Sequence, residues 1–270
     1  MTMDELDRLA ASMRSENLTV EANGRMLTLR IARTQWKNSI NAALIREIGA
    51  ALDAAEDSST CRLVVLRGEP GCFCTGLDFQ ETAGVSDVPP SDTVDIDKFM
   101  ALLRRFATSP KIIVSVVDGK VIAGGVGLVA ASDLVLTTPR SEFSLSEALW
   151  GLLPCCVTPY LIRRIGFQKC YSMTMTTLPI SAEEAHRFNL VDELTDNPDD
   201  SLRKLALRLN LLEQETIADL KSYFRKMWII TSEMEQTAVQ ETTRLSALPR
   251  VRRNITNYVQ HGLFPWHRKD

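Results

Sequence analysis

Residues 62–78 read RLVVLRGEPGCFCTGLD, and this stretch decides the fold class. The apolar run within residues 62–66 predicts a buried strand, and Gly68 to Gly71 predict a turn directly after it. The turn leads into residues 73–78, where Gly76 allows the backbone to approach another group closely. This order of strand, turn and glycine-containing segment predicts that residues 73–78 lie near the end of a strand. It also predicts that their backbone groups can bind a ligand.

A second glycine-containing segment, AGGVG at residues 123–127, follows the apolar run at residues 112–117 and opens a predicted helix. The first N–H groups of a helix have no partner inside it, and the helix dipole favours negative charge there. N–H groups from the two segments would together bind a carbonyl oxygen that becomes negative during a reaction. Either segment alone is compatible with ordinary tight packing of a helix on a sheet. The spacing differs from G-x-G-x-x-G, so a dinucleotide site is not indicated.

Strands and helices alternate through the first half of the chain, and the chain past Pro154 is predicted to be almost wholly helical. Asn23-Gly24 is a hairpin signal, and Asn41 is placed to cap a helix. Residues 83–93 contain Gly, Ser, Asp and two prolines and predict a mobile surface loop. We therefore predict an α/β fold with a layered β-β-α core and a helical C-terminal region. The predicted strands are residues 18–21, 26–31, 62–66, 112–117 and 134–137, and the predicted helices of the first half are residues 41–55, 96–107 and 124–131.

The composition is that of a globular protein, with 270 residues, 45% hydrophobic content and a net charge of −3. This balance gives no strong field for nucleic acid or a membrane surface, and no apolar run approaches the roughly 20 residues that span a bilayer. Residues 1–16 are charged and mixed, unlike a secretory signal. The six cysteines lack zinc-type spacing and are expected to be reduced. We expect a cytoplasmic protein without a metal site and without a nucleic-acid or membrane partner.

Five stretches of the chain, in order and spacing, resemble the crotonase (enoyl-CoA hydratase/isomerase) superfamily. The resemblance spans about residues 18–195 and implies a spiral of β-β-α turns. It also implies an N-terminal extension at residues 1–17, a crotonase core at residues 18–198, and a helical C-terminal trimerisation region at residues 199–270. The matching stretches are residues 62–78, 111–127, 142–147, 151–154 and 180–191.

The resemblance also implies the site. The family's two oxyanion-hole N–H groups correspond to those of Leu77 and Gly124. Of the two glutamates in the family's hydratases, one corresponds to Glu147 and the other to Gly127, so the second carboxylate is missing. Isomerases of the family also retain only the glutamate at the position of Glu147.

A finer likeness points to one subgroup. Residues 144–157 and 161–166 and the ending GLFPW at residues 262–266 resemble the dehydratases of polyketide β-branching cassettes. This implies dehydration of 3-hydroxy-3-methylglutaryl on an acyl carrier protein to 3-methylglutaconyl, through an enolate formed by Glu147. The phosphopantetheine thioester of the carrier protein, or of CoA, would be part of the substrate, and no separate cofactor is implied. A homotrimer or a dimer of trimers is expected.

Several side chains have two interpretations. Asp78 is either catalytic or a residue that caps a helix and orients the loop of Leu77. Glu147 would otherwise be a surface carboxylate that caps a helix beginning near Ser146. Arg163 and Arg164 either contact a phosphate or carboxylate or form ion pairs at a subunit contact. For the remaining reactive or charged side chains we expect packing or solvated roles: Cys74, Cys156, His261 and Lys120.

Three alternative functions remain open at this point. An enoyl-CoA hydratase/isomerase would act on acyl-CoA, and an isomerase would need only one glutamate. A decarboxylase acting on the next intermediate would need no strong base. A non-catalytic relative would bind the thioester or a partner without turnover.

Overall fold

The structure, a computed structural model, describes residues 5–13, 15–82 and 95–267. The loop predicted at residues 83–93 lies outside the described residues. The strands are β1 (Leu18–Asn23), β2 (Met26–Ile31), β3 (Leu63–Arg67), β4 (Gly71–Cys74), β5 (Ile112–Val117), β6 (Gly119–Ile122), β7 (Leu134–Thr137), β8 (Glu142–Ser144), β9 (Ile180–Ser181) and β10 (Glu193–Leu194). The helices are α1 (Glu5–Ser12), α2 (Ala42–Asp57), α3 (Phe79–Thr82), α4 (Ile96–Thr108), α5 (Gly124–Ala131), α6 (Glu147–Trp150), α7 (Thr158–Thr176), α8 (Ala182–Arg187), α9 (Pro198–Leu209), α10 (Gln214–Arg225), α11 (Ser232–Ser246) and α12 (Pro249–His261).

The strands form two sheets that the chain visits alternately. The larger sheet has the order β1-β2-β3-β5-β7-β10, and the smaller one has the order β4-β6-β8-β9. Three times in succession, a strand of the larger sheet is followed by a strand of the smaller sheet and then by a helix: β3-β4-α3, β5-β6-α5 and β7-β8-α6. This repetition is the predicted spiral of β-β-α turns, and the predicted α/β fold class is confirmed.

Local signals in the first half of the chain were interpreted correctly. Strands β1 and β2 pair as an antiparallel hairpin, although Gly24 and Arg25, rather than Asn23 and Gly24, link them. The side chain of Asn41 accepts a hydrogen bond of 2.8 Å from the N–H of Leu44 and caps α2 as expected. Helices α4 and α5 and strands β3, β5 and β7 also lie where the patterns predicted them.

The strands of the smaller sheet were not predicted. β4, β6 and β8 have 4, 4 and 3 residues. Runs this short, two of which contain glycine, carry too little alternation to be recognised as strands. The prediction of an almost wholly helical second half is likewise wrong in detail, because β9 and β10 are strands of two residues each.

Buried side chains cover both faces of the larger sheet at β3, which explains the unbroken apolar run of that strand. Val64 and Leu66 belong to the core that also contains α2, α4 and α5. Leu63 and Val65 face the other side, where Leu202 of α9 and Ile217 of α10 cover them. The C-terminal helices therefore pack against the core of the same chain. Among the described residues, no helix is long and apolar enough to cross a membrane.

Candidate active site

Three of the four sequence-predicted site residues follow three neighbouring parallel strands. β4 pairs in parallel with β6, and β6 pairs in parallel with β8, so their carboxyl ends meet at one edge of the smaller sheet. Leu77 follows β4, Gly124 follows β6, and Glu147 follows β8. In sheets of parallel strands, this is the edge at which ligands bind. The fold thus brings together residues that lie 70 positions apart along the chain.

The segments of Leu77 and Gly124 are in van der Waals contact through Gly76. A Cβ atom at Gly76 would lie 2.8 Å from the Cβ of Ala123 and 3.2 Å from the backbone nitrogen of Gly124, and Gly76 has a φ of +86°. Only glycine accepts both this backbone conformation and this close approach. The contact leaves the two backbone segments side by side, as a two-amide oxyanion site requires.

The N–H group of Leu77 is left available by its neighbours. The N–H of Ile40 donates to the oxygen of Gly76 at 2.7 Å, and the N–H of Asp78 donates to the oxygen of Ile40 at 2.9 Å. The C=O of Gly76 and the N–H of Leu77 belong to one trans peptide and point in opposite directions, so the N–H of Leu77 points away from Ile40. Within the described part of the chain it has no hydrogen-bond acceptor.

Gly124 is the first residue of α5, so its N–H has no partner inside the helix. The preceding Ala123 has a φ of 53° and a ψ of −119°, a conformation that residues with a Cβ rarely adopt. Its N–H donates to the oxygen of Ser144 at 2.9 Å, and its oxygen accepts from the N–H of Val126, also at 2.9 Å. These two hydrogen bonds stabilise the strained conformation of Ala123, and that conformation sets the orientation of the Gly124 N–H.

Gly125 allows α5 to lie directly on the smaller sheet. A Cβ atom at this position would lie 2.7 Å from the main-chain oxygen of Cys74 in β4. Every residue of α5 is buried, which is consistent with a helix enclosed by the smaller sheet, α4 and α7. The amino end of a buried helix therefore points at the edge where β4, β6 and β8 end, and its dipole favours an anion there.

Glu147 is the first residue of the four-residue helix α6. Its Oε2 atom is buried and has no hydrogen-bond partner among the described residues. Burial raises the pKa of the Glu147 carboxyl to about 7, although its own main-chain N–H opposes the rise. The interpretation of Glu147 as a solvated surface cap is therefore not supported. A carboxyl with a pKa near neutrality is suited to take up a proton and return it.

The position of the missing second glutamate is filled by apolar neighbours. A Cβ atom at Gly127 would lie 3.1 Å from Cγ2 of Val157 and 3.4 Å from Cδ1 of Leu103. A longer side chain at Gly127 would require Val157 and Leu103 to move. Hydratases of the family use glutamates at two positions. In this chain only one of the two, Glu147, carries a carboxylate.

Asp78 is held by a network of its own. Its Oδ2 accepts from Nη2 of Arg33 at 2.7 Å and from Oγ of Ser39 at 3.0 Å, while its Oδ1 accepts from the N–H of Gln80 at 3.0 Å. Arg33 also donates to the oxygen of Ser39 at 2.9 Å. These contacts favour a role in orienting the loop of Leu77 over a role as a base. Arg33 was not found from the sequence because it lies 45 residues from Asp78.

The cysteines of the sequence analysis are packing residues. Cys74 and Cys156 are both buried, and burial raises the pKa of their thiols to about 12 and about 11. A thiol with such a pKa is almost entirely protonated at neutral pH and is a poor nucleophile. All six cysteines lie in the described residues and are free thiols.

Arg163 and Arg164 lie at the carboxyl end of α5, away from Gly124. Arg163 donates to the oxygen of Ala130 at 2.8 Å, and Arg164 donates to the oxygen of Ser132 at 3.0 Å. Both arginines thus satisfy main-chain carbonyls at a helix end within one chain, where a positive charge is favourable. His261, the last residue of α12, and Lys120, in β6, are exposed.

Comparison with known proteins places this geometry in a family. The family model described as enoyl-CoA hydratase/isomerase matches residues 21–269. Bacillaene synthase dehydratase PksH of Bacillus subtilis is 38% identical over 234 residues, which cover 87% of this chain and 90% of that protein. The crystal structure of pksH from Bacillus subtilis superimposes with a TM-score of 0.88 at 35% identity and covers 93% of this chain and 100% of that one.

More distant relatives carry other names within the same family. An enoyl-CoA hydratase of Mycobacterium tuberculosis is 27% identical and covers 70% of this chain and 71% of its own length. The 1,2-epoxyphenylacetyl-CoA isomerase of Escherichia coli is 26% identical and covers 68% of this chain and 71% of its own length. Dehydratases and hydratases are lyases, which confirms the expectation of an enzyme of that class. The chain therefore belongs to the enoyl-CoA hydratase/isomerase family, which is also called the crotonase superfamily.

Proposed function

We propose that this chain is a dehydratase of polyketide biosynthesis that removes water from a 3-hydroxyacyl thioester. The observation that carries the proposal is the buried, unpartnered Oε2 of Glu147, at the strand edge where the amides of Leu77 and Gly124 also lie. The 38% identity with bacillaene synthase dehydratase PksH supports the choice of dehydration and of the pathway type.

The proposed reaction uses one carboxylate twice. Glu147 removes a proton from C2, and the negative charge moves to the thioester oxygen, which accepts hydrogen bonds from the N–H groups of Leu77 and Gly124. One such donor is typically worth about 3 kcal/mol of barrier. The enolate then collapses, the C2=C3 bond forms, and the C3–O bond breaks as Glu147 returns its proton to the leaving hydroxyl. Base and acid roles occur in sequence, so a second carboxylate is not needed.

As substrate we propose 3-hydroxy-3-methylglutaryl on the phosphopantetheine of an acyl carrier protein, with 3-methylglutaconyl as product. The likeness to a bacillaene synthase dehydratase supports a substrate attached to a carrier protein. The main alternative is hydration or isomerisation of an acyl-CoA, which the names of the more distant relatives support. A decarboxylase or a non-catalytic thioester-binding protein fits less well, because neither would need the buried carboxyl of Glu147.

We also propose that the protein assembles as a homotrimer or a dimer of trimers in the cytoplasm. Exposed apolar side chains follow one face of α7, where Phe167 and Met175 are each 65% exposed. Tyr223 and Phe224 of α10 are also exposed. Contiguous apolar surface of this kind is typical of an interface between protein chains.

Mass spectrometry of the acylated carrier protein tests the proposal. Incubation of 3-hydroxy-3-methylglutaryl-carrier protein with the enzyme should lower the mass by one water, and the CoA thioester of the same acid should react more slowly. Turnover of a 3-enoyl-CoA with no loss of water would support the isomerase instead. Loss of carbon dioxide would indicate the decarboxylase, and binding with no mass change would indicate the non-catalytic alternative.

A further inference from the structure

The C-terminal GLFPW sequence forms part of an aromatic cluster. The ring of Trp150 lies at its centre, with ring-centroid distances of 4.8 Å to Phe79, 5.2 Å to Tyr258, 6.0 Å to Phe264 and 5.3 Å to Trp266. We call these five residues the aromatic cluster. Trp150 is only 7% exposed, whereas Trp266 on the outside is 44% exposed. The end of the chain therefore covers Trp150 from solvent.

Two members of the aromatic cluster are joined directly to the proposed catalytic segments. Phe79 begins α3 and follows Leu77-Asp78 in the chain. Trp150 ends α6, the single turn of helix that begins with Glu147. The edge-to-face contact between Phe79 and Trp150 thus joins the segment of the oxyanion amide to the segment of the base.

Helix α12 fixes the same two segments from outside. Nδ2 of Asn254 donates to the main-chain oxygen of Trp150 at 3.2 Å. A Cβ atom at Gly151, the residue after α6, would lie 3.0 Å from Nη1 of Arg250 and 3.3 Å from Cγ2 of Val251. A helix of four residues has no stability of its own, so α6 keeps its geometry through packing. That packing comes from α7, α12 and the turn at Pro265–His267.

We propose that Phe264 and Trp266 are positioning residues that clamp Trp150 onto Phe79. This clamp excludes water from Glu147 and keeps Glu147 aligned with the amide of Leu77. The inference rests on the function proposed above for Glu147 and Leu77. Aromatic pairs in edge-to-face or tilted geometry attract each other beyond the effect of burying their apolar surface. The alternative is that the cluster only anchors the chain end, in which case it affects stability without affecting the site.

The test compares full-length variants at a temperature well below their melting points. Trp266→Ala and Phe264→Ala should lower kcat on the carrier-bound substrate at least tenfold, with little change in KM. The acidic limb of the rate profile should also move to lower pH, because water then reaches Glu147. Trp266→Phe should restore kcat and the profile. Trp228→Ala is the matched control, since Trp228 packs on Arg163 at the other end of α5.

A second readout does not depend on turnover. The carboxyl of Glu147 can be titrated by ¹³C NMR with labelled glutamate and assigned by its loss in Glu147→Gln. The pKa should fall in Trp266→Ala and return in Trp266→Phe. His267 contacts Phe264, Arg250 lies at Gly151, and Cys155 interacts electrostatically with Glu147. Each of three further changes, His267→Gln, Arg250→Gln and Cys155→Ser, is then combined with Trp266→Ala. The fall in the pKa of Glu147 caused by Trp266→Ala should persist in all three double variants.

The two readouts separate the two proposals. A wild-type enzyme that does not dehydrate the substrate would contradict the proposed function, while the titration would still report on the clamp. Trp266→Ala could lower the melting temperature and still show the kcat, pH profile and carboxyl titration of the wild type. That result would overturn the clamp and leave only an anchoring role for the aromatic cluster.

Discussion

The N–H of Ala123, the residue after β6, donates a hydrogen bond of 2.9 Å to the carbonyl oxygen of Ser144, the last residue of β8. Gly124 is the next residue after Ala123, and Glu147 begins α6 shortly after Ser144. The spacing between the proposed oxyanion amide and the proposed base is therefore set by main-chain hydrogen bonds. Changes confined to side chains at Glu147 should leave the amide of Gly124 in place.

Replacement of Glu147 with Gln should lower the rate of dehydration by at least about 10²-fold, because general acid–base catalysis is lost. Substrate affinity should change little, since backbone amides bind the thioester oxygen. The measurements are single-turnover rates and carrier-protein binding. Glu142→Gln is the matched control, because Glu142 is exposed and lies on β8, the strand that precedes Glu147. Near-normal dehydration by Glu147→Gln would contradict the one-carboxylate mechanism.

The pH dependence of kcat/KM should follow the Glu147 carboxyl. Its pKa of about 7 means that the base is ionised above neutrality and is lost as pH falls through 7. We expect a plateau above pH about 7.5 and a tenfold fall for each pH unit below about 6.5. A limb centred near the ordinary glutamate value of 4.5 would show that the carboxyl is solvated during the reaction.

The same pKa predicts a pH-dependent gain of stability in Glu147→Gln. In the folded protein the pKa of Glu147 is raised from 4.5 to about 7, so ionisation of this carboxyl costs the folded state stability. The loss grows between about pH 4.5 and 7 and is complete above that range. Glutamine does not ionise and avoids the penalty. Relative to wild type, the free energy of unfolding of the variant should therefore rise by about 1–3 kcal/mol between pH 5 and pH 8. Urea denaturation at both values would detect this, and a difference independent of pH would contradict it.

Gly76→Ala should damage the oxyanion site in particular. The new Cβ would meet the Cβ of Ala123 at 2.8 Å and would push the segment of Leu77 away from Gly124. Loss of one oxyanion donor lowers kcat by about 10²–10³-fold. Gly24→Ala is the control, because Gly24 also has positive φ but has open space around it. If both variants lose stability equally and neither loses kcat, the Gly76 contact has no catalytic role.

Restoring a glutamate at position 127 should not create a two-carboxylate hydratase. The side chain would collide with Val157 and Leu103, and its carboxylate would enter an apolar environment. We expect Gly127→Glu to lower the free energy of unfolding by about 3 kcal/mol or more. Adding Val157→Ala should recover part of that loss in thermal denaturation. A stable Gly127→Glu protein that hydrates 3-methylglutaconyl thioester faster than wild type would contradict this interpretation.

The sequence alone was enough where a signal is local or where a family pattern marks the position. The continuous apolar runs of β3 and β5 predicted buried strands, and both strands are buried. Asn41 predicted the start of α2 through a hydrogen bond that spans only three residues. Leu77, Gly124 and Glu147 were identified from the resemblance to the crotonase superfamily, and the strand order places them at one edge.

The tertiary structure decided what depends on contacts between distant segments. The smaller sheet consists of strands too short to show a period, and pairing with neighbours is what makes them strands. Asp78 had two interpretations until Arg33, 45 residues away, was found bound to it. The raised pKa of Glu147 and the ring contacts of Trp150 with Trp266 likewise have no local signature. Burial and packing depend on which segments meet in space, and spacing along one segment does not specify that.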